Sequence, residues 1–314
     1  MKILIVGAGV IGTTYGWALS ESGHDVTHFV KPSRQDQLKG GVHLDIVDDR
    51  KGHKKNMITQ YALKCVEAIT PSDRYELIIL PIHFHQVAAV LQTLVPVSAD
   101  ALFLHFGSNW NGTEFIDKYL PRERYLMGFP FGGGFLQNGE YVAWIGSKVY
   151  LGEIDGNKHN EKLECVQSLF AQADIRTDVL DNILHMLWTS HVGAVGIAAG
   201  IAKSQGVIPY LHDRDLMVQS YHIVKELYEL CRLRGVDPYR YPEQAFLFRV
   251  PVWLFIPVFR LFCTYNVGVQ RGLTHFLKPA QDAGALCEAM QKTAQELHFD
   301  LPRTKALDPY LQTR

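Results

Sequence analysis

The feature that most constrains this chain lies at its N-terminus. A short continuous apolar run, Lys2-Ile3-Leu4-Ile5-Val6, leads straight into Gly7-Ala8-Gly9-Val10-Ile11-Gly12. The run reads as a strand buried on both faces. The hexapeptide is G-x-G-x-x-G, placed after a strand and at the start of a helical stretch that reaches Ser22, with Gly23 at its end. In that setting each glycine has a task. Gly7 allows the tight turn, Gly9 removes a side chain where a pyrophosphate approaches the backbone, and Gly12 lets helix and strand pack closely. The first helical residues, Val10 and Ile11, then present N–H groups and a partial positive charge to the phosphates. The segment predicts a dinucleotide-binding unit.

Strand and helix signals alternate through the first half of the chain. Asp25 to Val30 reads as a strand. Leu77 to Ile82 is another, followed by a helix through Leu94. Ala101 to Phe106 and Tyr125 to Gly128 continue the series, which implies crossover units and a parallel sheet. Between Gly128 and Gly156 glycines are dense, and Tyr141–Gly146 and Lys148–Gly152 read as antiparallel strands joined by a turn. Glu161 to Ala171 reads as helix. From about Asp181 strand signals nearly vanish: Asn182–Ile201 is a long apolar segment, and Asp215–Arg234 and Ala280–His298 are expected as helices. The expected fold class is α/β: an N-terminal Rossmann-like, doubly wound sheet over residues 1–178, then an all-helical domain over 179–314 for substrate and dimer contact. No internal repeat or low-complexity segment interrupts this plan.

Charge narrows the partners. Lys plus Arg number 31 and Asp plus Glu 32, so the net charge is −1 with histidine neutral. That balance argues against a nucleic-acid partner. The five cysteines are odd in number and scattered, with no C-x-x-C pair. They suit neither a disulfide framework nor a zinc site, and a reduced, cytoplasmic setting is expected. No metal and no signal peptide are expected. The apolar run Val250–Phe259 is too short to span a bilayer and contains Pro251 and Pro257, so it is expected to be buried or interfacial.

Cofactor choice is set at the tip of the second strand. An NAD-preferring site usually carries Asp or Glu there. This chain reads His28-Phe29-Val30-Lys31-Pro32-Ser33-Arg34 instead. Lys31 and Arg34 are suited to a 2′-phosphate, with Ser33 as an added donor, which points to NADP(H). The alternative is a solvated basic loop. The cluster Arg50-Lys51-Gly52-His53-Lys54-Lys55 beside Asp48-Asp49 is expected to be a solvated loop.

Taken together, these residues resemble the ketopantoate reductase family. The likeness is carried by the glycine motif, by Lys31, and by Ile79-Leu80-Pro81-Ile82-His83-Phe84-His85-Gln86, where the family has an apolar strand, then Lys, two residues and Gln. Gln86 matches, and His83 stands for the lysine. Asn109-Trp110-Asn111-Gly112 is similar to the family's Asn-Gly-x-Gly segment. By that resemblance Asn109 lies between nicotinamide and substrate. Gly132-Gly133-Gly134 and Leu151-Gly152-Glu153 with Gly156 look like the family's antiparallel section. The likeness is good over residues 1–200 and loose beyond. It implies a cofactor set of Gly7, Gly9, Val10, Ile11, Gly12, Lys31, Arg34, His83, Gln86 and Asn109.

The resemblance also implies an acid for the developing alkoxide. In the family a lysine two residues after a tryptophan serves, followed by asparagines at four-residue spacings. Aligned on Trp188, this chain has Ser190, Ala194 and Ala198 at those places. His191 is adjacent and titrates in a suitable range, although one residue along a helix turns a side chain by about 100°. His191 and Ser190 are therefore the candidates for the acid's place, and His83, near the nicotinamide side by resemblance, is a third. The bland alternative makes His185 and His191 ordinary helix histidines. A family glutamate that binds substrate falls at Asp282, with a helix N-terminal carboxylate as the alternative.

The implied function is NADPH-dependent reduction of a 2-oxo acid or related carbonyl in the cleft between domains. The alanines and the aromatic stretch 246–262 suggest a more apolar substrate than ketopantoate. That stretch also suits a homodimer contact. Two other readings stay open: an NADP(H)-binding sensor or interaction protein impaired in catalysis, and an imine or opine-type reductase.

Overall fold

The computed structural model of the chain describes residues 1–277 and 281–306, apart from the side chains of Gln244, Gln281 and Asp282. The opening apolar run forms β1 (Lys2–Val6), and the stretch after the glycines forms α1 (Val10–Glu21). There follow β2 (Asp25–Phe29), α2 (Pro32–Leu38), β3 (Val42–Asp48), β4 (Lys55–Tyr61), β5 (Lys64–Val66), β6 (Leu77–Leu80), α3 (Phe84–Leu94) and β7 (Leu102–Phe106). After α4 (Glu114–Asp117) come two long strands, β8 (Tyr125–Gln137) and β9 (Glu140–Gly152), then α5 (Glu161–Gln172) and β10 (Arg176–Leu180). The rest is helical: α6 (Ile183–Ser204), α7 (Val207–His212), α8 (Arg214–Leu233), α9 (Pro242–Ala245), α10 (Val252–Tyr265), α11 (Val267–Thr274), α12 (Gln281–Glu296) and α13 (Pro302–Lys305).

Two units result. The first comprises Met1–Ser108 and Gly112–Ile183; the second comprises Asn109–Asn111 and the chain from Leu184 onward. The first unit is built on one sheet with strand order β4-β3-β9-β8-β7-β6-β1-β2-β5, and β10 pairs β9. From β8 to β5 the pairings are parallel. The chain leaves β1 toward β2 on one side and returns to β6 on the other. Strands β1, β2, β6 and β7 therefore end at one edge, with the reversal at β1, the place where α/β sheets bind ligands. Ile3, Leu4 and Ile5 are fully buried, as a strand covered on both faces requires. From α1, Tyr15 sets its ring edge-on to Phe106 at 4.9 Å, which ties the helix to β7.

Three readings of the sequence need correction. Tyr141–Gly146 and Lys148–Gly152 are not two strands joined by a turn. They are one strand, β9, and its antiparallel partner is β8. The turn lies at Asn138-Gly139, where φ is 50° and 85°, the pairing that two-residue hairpins favour. Gly146 breaks the apolar pattern because a Cβ there would stand 2.7 Å from the Phe131 carbonyl oxygen. Near this point β9 also changes neighbours, from β3 to β10. Secondly, β3 and β4 form a hairpin that the sequence did not announce. Thirdly, Arg50 at its turn is not solvated. It bonds Asp48 at 2.8 and 2.9 Å and lies 4.7 Å from the Trp17 ring, whereas Lys51 to Lys55 are exposed.

The second unit has no strand among its described residues. α6 is long and apolar enough to cross a membrane by composition, but 78% of that stretch is buried within the protein, the pattern of a core helix. Two of its glycines are explained by packing. A Cβ at Gly196 would stand 2.5 Å from Val224 Cγ2, and one at Gly200 would stand 2.5 Å from Tyr210 Cε2. They let α7 and α8 approach closely. α8 is capped by Asp213, whose carboxylate accepts the Leu216 N–H at 2.9 Å, and ends at Gly235 with φ 79°. The apolar run at 250–259 lies mostly in α10, with Pro257 inside the helix. One face of α10 buries Phe255, Ile256 and Phe259, while Trp253, Leu261 and Tyr265 are exposed.

Candidate active site

The glycine loop shows what each of its residues does. Gly7 has φ 88°, a left-handed conformation that side chains other than glycine's resist. A Cβ at Gly9 would meet nothing within 4 Å, so the space above it is open. A Cβ at Gly12 would press on Pro81 Cγ at 3.0 Å and Ile5 Cγ2 at 3.1 Å. Gly9 is the N-cap of α1, no side chain caps the helix, and its first turn carries no acid. These N–H groups at the end of a helix dipole suit an anion.

Two side chains hold the loop's carbonyls. His28 Nδ1 donates to the Gly7 carbonyl at 2.8 Å, and the Tyr141 hydroxyl donates to the Ala8 carbonyl at 2.8 Å. On the far side of the imidazole, Nε2 lies 3.2 Å from the Tyr61 hydroxyl. With Nδ1 as donor, Nε2 accepts and the ring is neutral. Burial pushes the His28 pKa down to about 4 and that of Tyr61 up to about 12. Gly16 gives the ring its room, since a Cβ there would stand 2.7 Å from His28 Nε2. Fixing carbonyls on the protein side leaves N–H groups for a ligand. This set of features fits the pyrophosphate of a dinucleotide.

The other residues expected at the cofactor follow the C-terminal ends of neighbouring strands. Lys31, at the end of β2, is the exposed N-cap residue of α2. Arg34, one turn along, donates to Gln37 Oε1 at 2.8 Å. Neither forms an ion pair with a carboxylate among the described residues. His83 precedes α3, and its ring stacks on His85 at 5.7 Å. Gln86 is exposed on the first turn of α3.

Asn109 and His191 meet in the helical unit, and Ser190 precedes His191 on α6. Asn109 is fully buried, and its backbone N–H donates to His191 Nε2 at 2.9 Å. Its Oδ1 accepts the Asn111 N–H at 3.0 Å. His191 is 4% exposed. Its Nε2 lone pair is thus spent on holding the 109–111 backbone. Trp110 anchors the same segment: its ring is fully buried, and its indole N–H donates to Thr293 Oγ1 at 3.0 Å. Arg234 completes the clamp. It donates to the Trp110 carbonyl at 3.0 Å and lies 3.4 Å from the centre of the Trp188 ring, a cation–π contact. His185, by contrast, is half-buried, and its pKa is lowered by burial and by the charges of Arg234 and Arg240. The side chain of Asp282 lies outside the described residues.

Sequence reasoning missed His28, Tyr141 and Arg234. His28 stands in the strand that was read only for its tip. A histidine on the same strand face as Val26 and Val30 was the available signal. Arg234 stands immediately before the helix-ending Gly235, and nothing local shows that Trp110 lies beneath it.

Comparison with known proteins agrees with this geometry. Residues 3–156 match the family model described as Ketopantoate reductase PanE/ApbA. A 2-dehydropantoate 2-reductase of Pyrococcus horikoshii is 26% identical over 242 residues, covering 75% of each chain. Among solved structures, a 2-dehydropantoate 2-reductase from Geobacter metallireducens superposes with a TM-score of 0.75 at 16% identity, covering 99% of both chains. The ternary structure of D-mandelate dehydrogenase with NADH and anilino(oxo)acetate gives 0.73 at 15% identity, covering 99% of this chain and 97% of the other. The two structural likenesses show a common fold across both units.

Proposed function

Given a chain that belongs to the ketopantoate reductase family, we propose that it is an NADPH-dependent reductase of a 2-oxo acid or related carbonyl. The observation that carries this reading is the glycine loop, whose Gly7 and Ala8 carbonyls are both held inward while the space above Gly9 stays open. A bound reduced nicotinamide supplies the hydride. Gly7, Gly9, Val10, Ile11 and Gly12 hold the pyrophosphate through backbone N–H groups. Lys31 and Arg34 hold a 2′-phosphate as charge-assisted donors, which selects NADPH over NADH. His83 and Gln86 flank the same edge.

At the reacting end, Asn109 sets the position of the carbonyl relative to the cofactor. His191 acts through Asn109: it is a positioning residue, because its Nε2 already accepts the Asn109 N–H. Ser190 offers its hydroxyl to the carbonyl oxygen. That oxygen becomes an alkoxide as the carbon takes the hydride, and the proton it receives through Ser190 is replaced from solvent. Asp282 is retained as a candidate for substrate hydroxyls.

The test is oxidation of NADPH and of NADH by the purified protein with a set of 2-oxo acids, with binding of each cofactor measured in the same preparation. Turnover that prefers NADPH is expected. Tight NADPH binding without turnover of any oxo acid or imine would mean that the chain binds the cofactor for another purpose. Turnover only when an amine accompanies the oxo acid would replace the carbonyl by an imine.

A further inference from the structure

The helical unit holds a cavity of about 370 Å³. One wall is a single face of α6, formed by Ser190, Gly193, Ala194 and Ile197. Their spacing of three, four and seven residues puts them on one stripe of the helix. Five phenylalanines, among them Phe248 and Phe259, supply most of the remainder. Among the described residues, Ser190 and Glu243 carry the only polar side chains in the wall.

Gly193 is the informative residue. Gly196 and Gly200 are required by close packing, but a Cβ at Gly193 would meet nothing within 4 Å among the described residues. Glycine is among the poorest helix formers, so packing and propensity both leave its presence in mid-helix unaccounted for. What it does is keep the wall of the cavity thin. Ala194 beside it does the same. An apolar cavity of about 150 Å³ already admits benzene, so this one has room for an aromatic ring with its linker. Apart from Ser190 and Glu243, the described wall is apolar and offers a carboxylate no donor to replace its water. The apolar end of an oxo acid is the end that fits, with its keto group toward Ser190.

We infer that this cavity receives the side chain of the substrate, and that the substrate class is 2-oxo acids bearing an aryl or bulky branched alkyl group. The inference rests on the reductase reading above. A hydroxylated side chain such as that of ketopantoate leaves its hydroxyl unpaired wherever it lies against the phenylalanines rather than against Ser190 or Glu243. An unpaired buried hydroxyl costs about ten- to a hundredfold in affinity.

The experiment compares phenylpyruvate, 4-methyl-2-oxopentanoate and ketopantoate as substrates with NADPH. In parallel, binding of phenylacetate, which cannot be reduced, is titrated into the NADPH-loaded protein by calorimetry. Wild-type protein is compared with Ala194→Asn and Gly193→Leu. The expected result is kcat/KM at least tenfold higher for phenylpyruvate than for ketopantoate. Ala194→Asn should shift that ratio toward ketopantoate by tenfold or more. Gly193→Leu, whose side chain enters the open space, should weaken phenylacetate binding at least tenfold with the far-ultraviolet spectrum unchanged. Reduction of ketopantoate with no reduction or binding of the aryl acids would overturn the cavity assignment and leave the reductase reading intact. Phenylacetate binding that Gly193→Leu abolishes, without turnover of any oxo acid, would support the cavity assignment and overturn the reductase reading. Loss of binding in neither variant would place the aryl acid elsewhere and overturn the assignment.

Discussion

The two ends of the proposed site are built in different ways. Around the glycine loop, function is carried by backbone: a positive φ at Gly7, an open approach at Gly9 and a helix pressed against a strand at Gly12. Around residue 190 it is carried by side chains on one helix face. A backbone requirement admits glycine and little else, so the pattern at residues 7–12 can be read from one sequence. A side-chain requirement changes with the substrate. Ser190 and Ala194 therefore stand where the family resemblance expects a lysine and an asparagine, while the helix that bears them keeps its place in the core. In the proposed site the loop answers to the cofactor and the helix face to the substrate, and the two need not diverge together.

The largest effect that would sharpen this contrast is in stability. His28 and His105, both in the sheet-based unit, are held neutral by burial, each with its pKa pushed down to about 4. The unfolded chain takes up these protons below about pH 6.5, the folded chain only near pH 4. Their contribution is thus intact above pH 6.5 and lost as the pH falls toward 4, on the order of 3 kcal/mol for each residue. Urea unfolding at pH 7 and pH 5 should show the midpoint falling, and the fall should be smaller in His28→Gln.

Next comes Gly9→Val. Its side chain enters open space, so the melting temperature should stay within a few degrees of wild type while NADPH affinity drops by about a hundredfold, close to 3 kcal/mol. Gly12→Val should do the reverse at first. It meets Pro81 and Ile5 and destabilises the fold by about 1–3 kcal/mol. If Gly9→Val melts as early as Gly12→Val, the division of labour between these glycines is wrong.

His191→Ala leaves the Asn109 N–H without its partner, at a cost of about 1–3 kcal/mol. The expected result is a fall in kcat of ten- to a hundredfold with the shape of the pH–rate profile retained, and partial rescue by His191→Gln. Disappearance of one limb of the profile would instead identify His191 as the acid. The smallest effect is at the tip of β2. Lys31→Glu combined with Arg34→Glu should raise KM for NADPH about tenfold, near 1.4 kcal/mol, and leave KM for NADH unchanged. Equal losses for both cofactors would return the two residues to a solvated loop.

How much of this was legible in the sequence follows the same division. Strand β1, the glycine loop and α1 were readable because local signals and final contacts coincide within some twenty residues. The helical half was readable as helices from its apolar periodicity. The β8–β9 hairpin was misread because Gly146 looks like a turn when seen along the chain. Its reason lies across the sheet, in the Phe131 carbonyl. His191 was singled out for its chemistry, but what occupies its Nε2 is a backbone N–H 82 positions away in the chain. The cavity was foreshadowed by two alanines and a run of aromatics. Gly193 was passed over, since a glycine with no neighbour looks like any other in sequence.

The segment Asn109–Asn111 has a consequence for the integrity of the chain. It is contributed from within the sheet-forming part of the sequence, yet it belongs to the helical unit and places a fully buried indole there. A single cut after Ile183 would therefore not yield two complete halves. The C-terminal fragment would have a hole where Trp110 belongs, and Arg234 and Thr293 would lose the groups they hold. The N-terminal fragment would carry a stranded indole with nothing to cover it. Such fragments are made to be soluble together and poor alone, so co-expression, rather than separate expression, is the way to obtain either half.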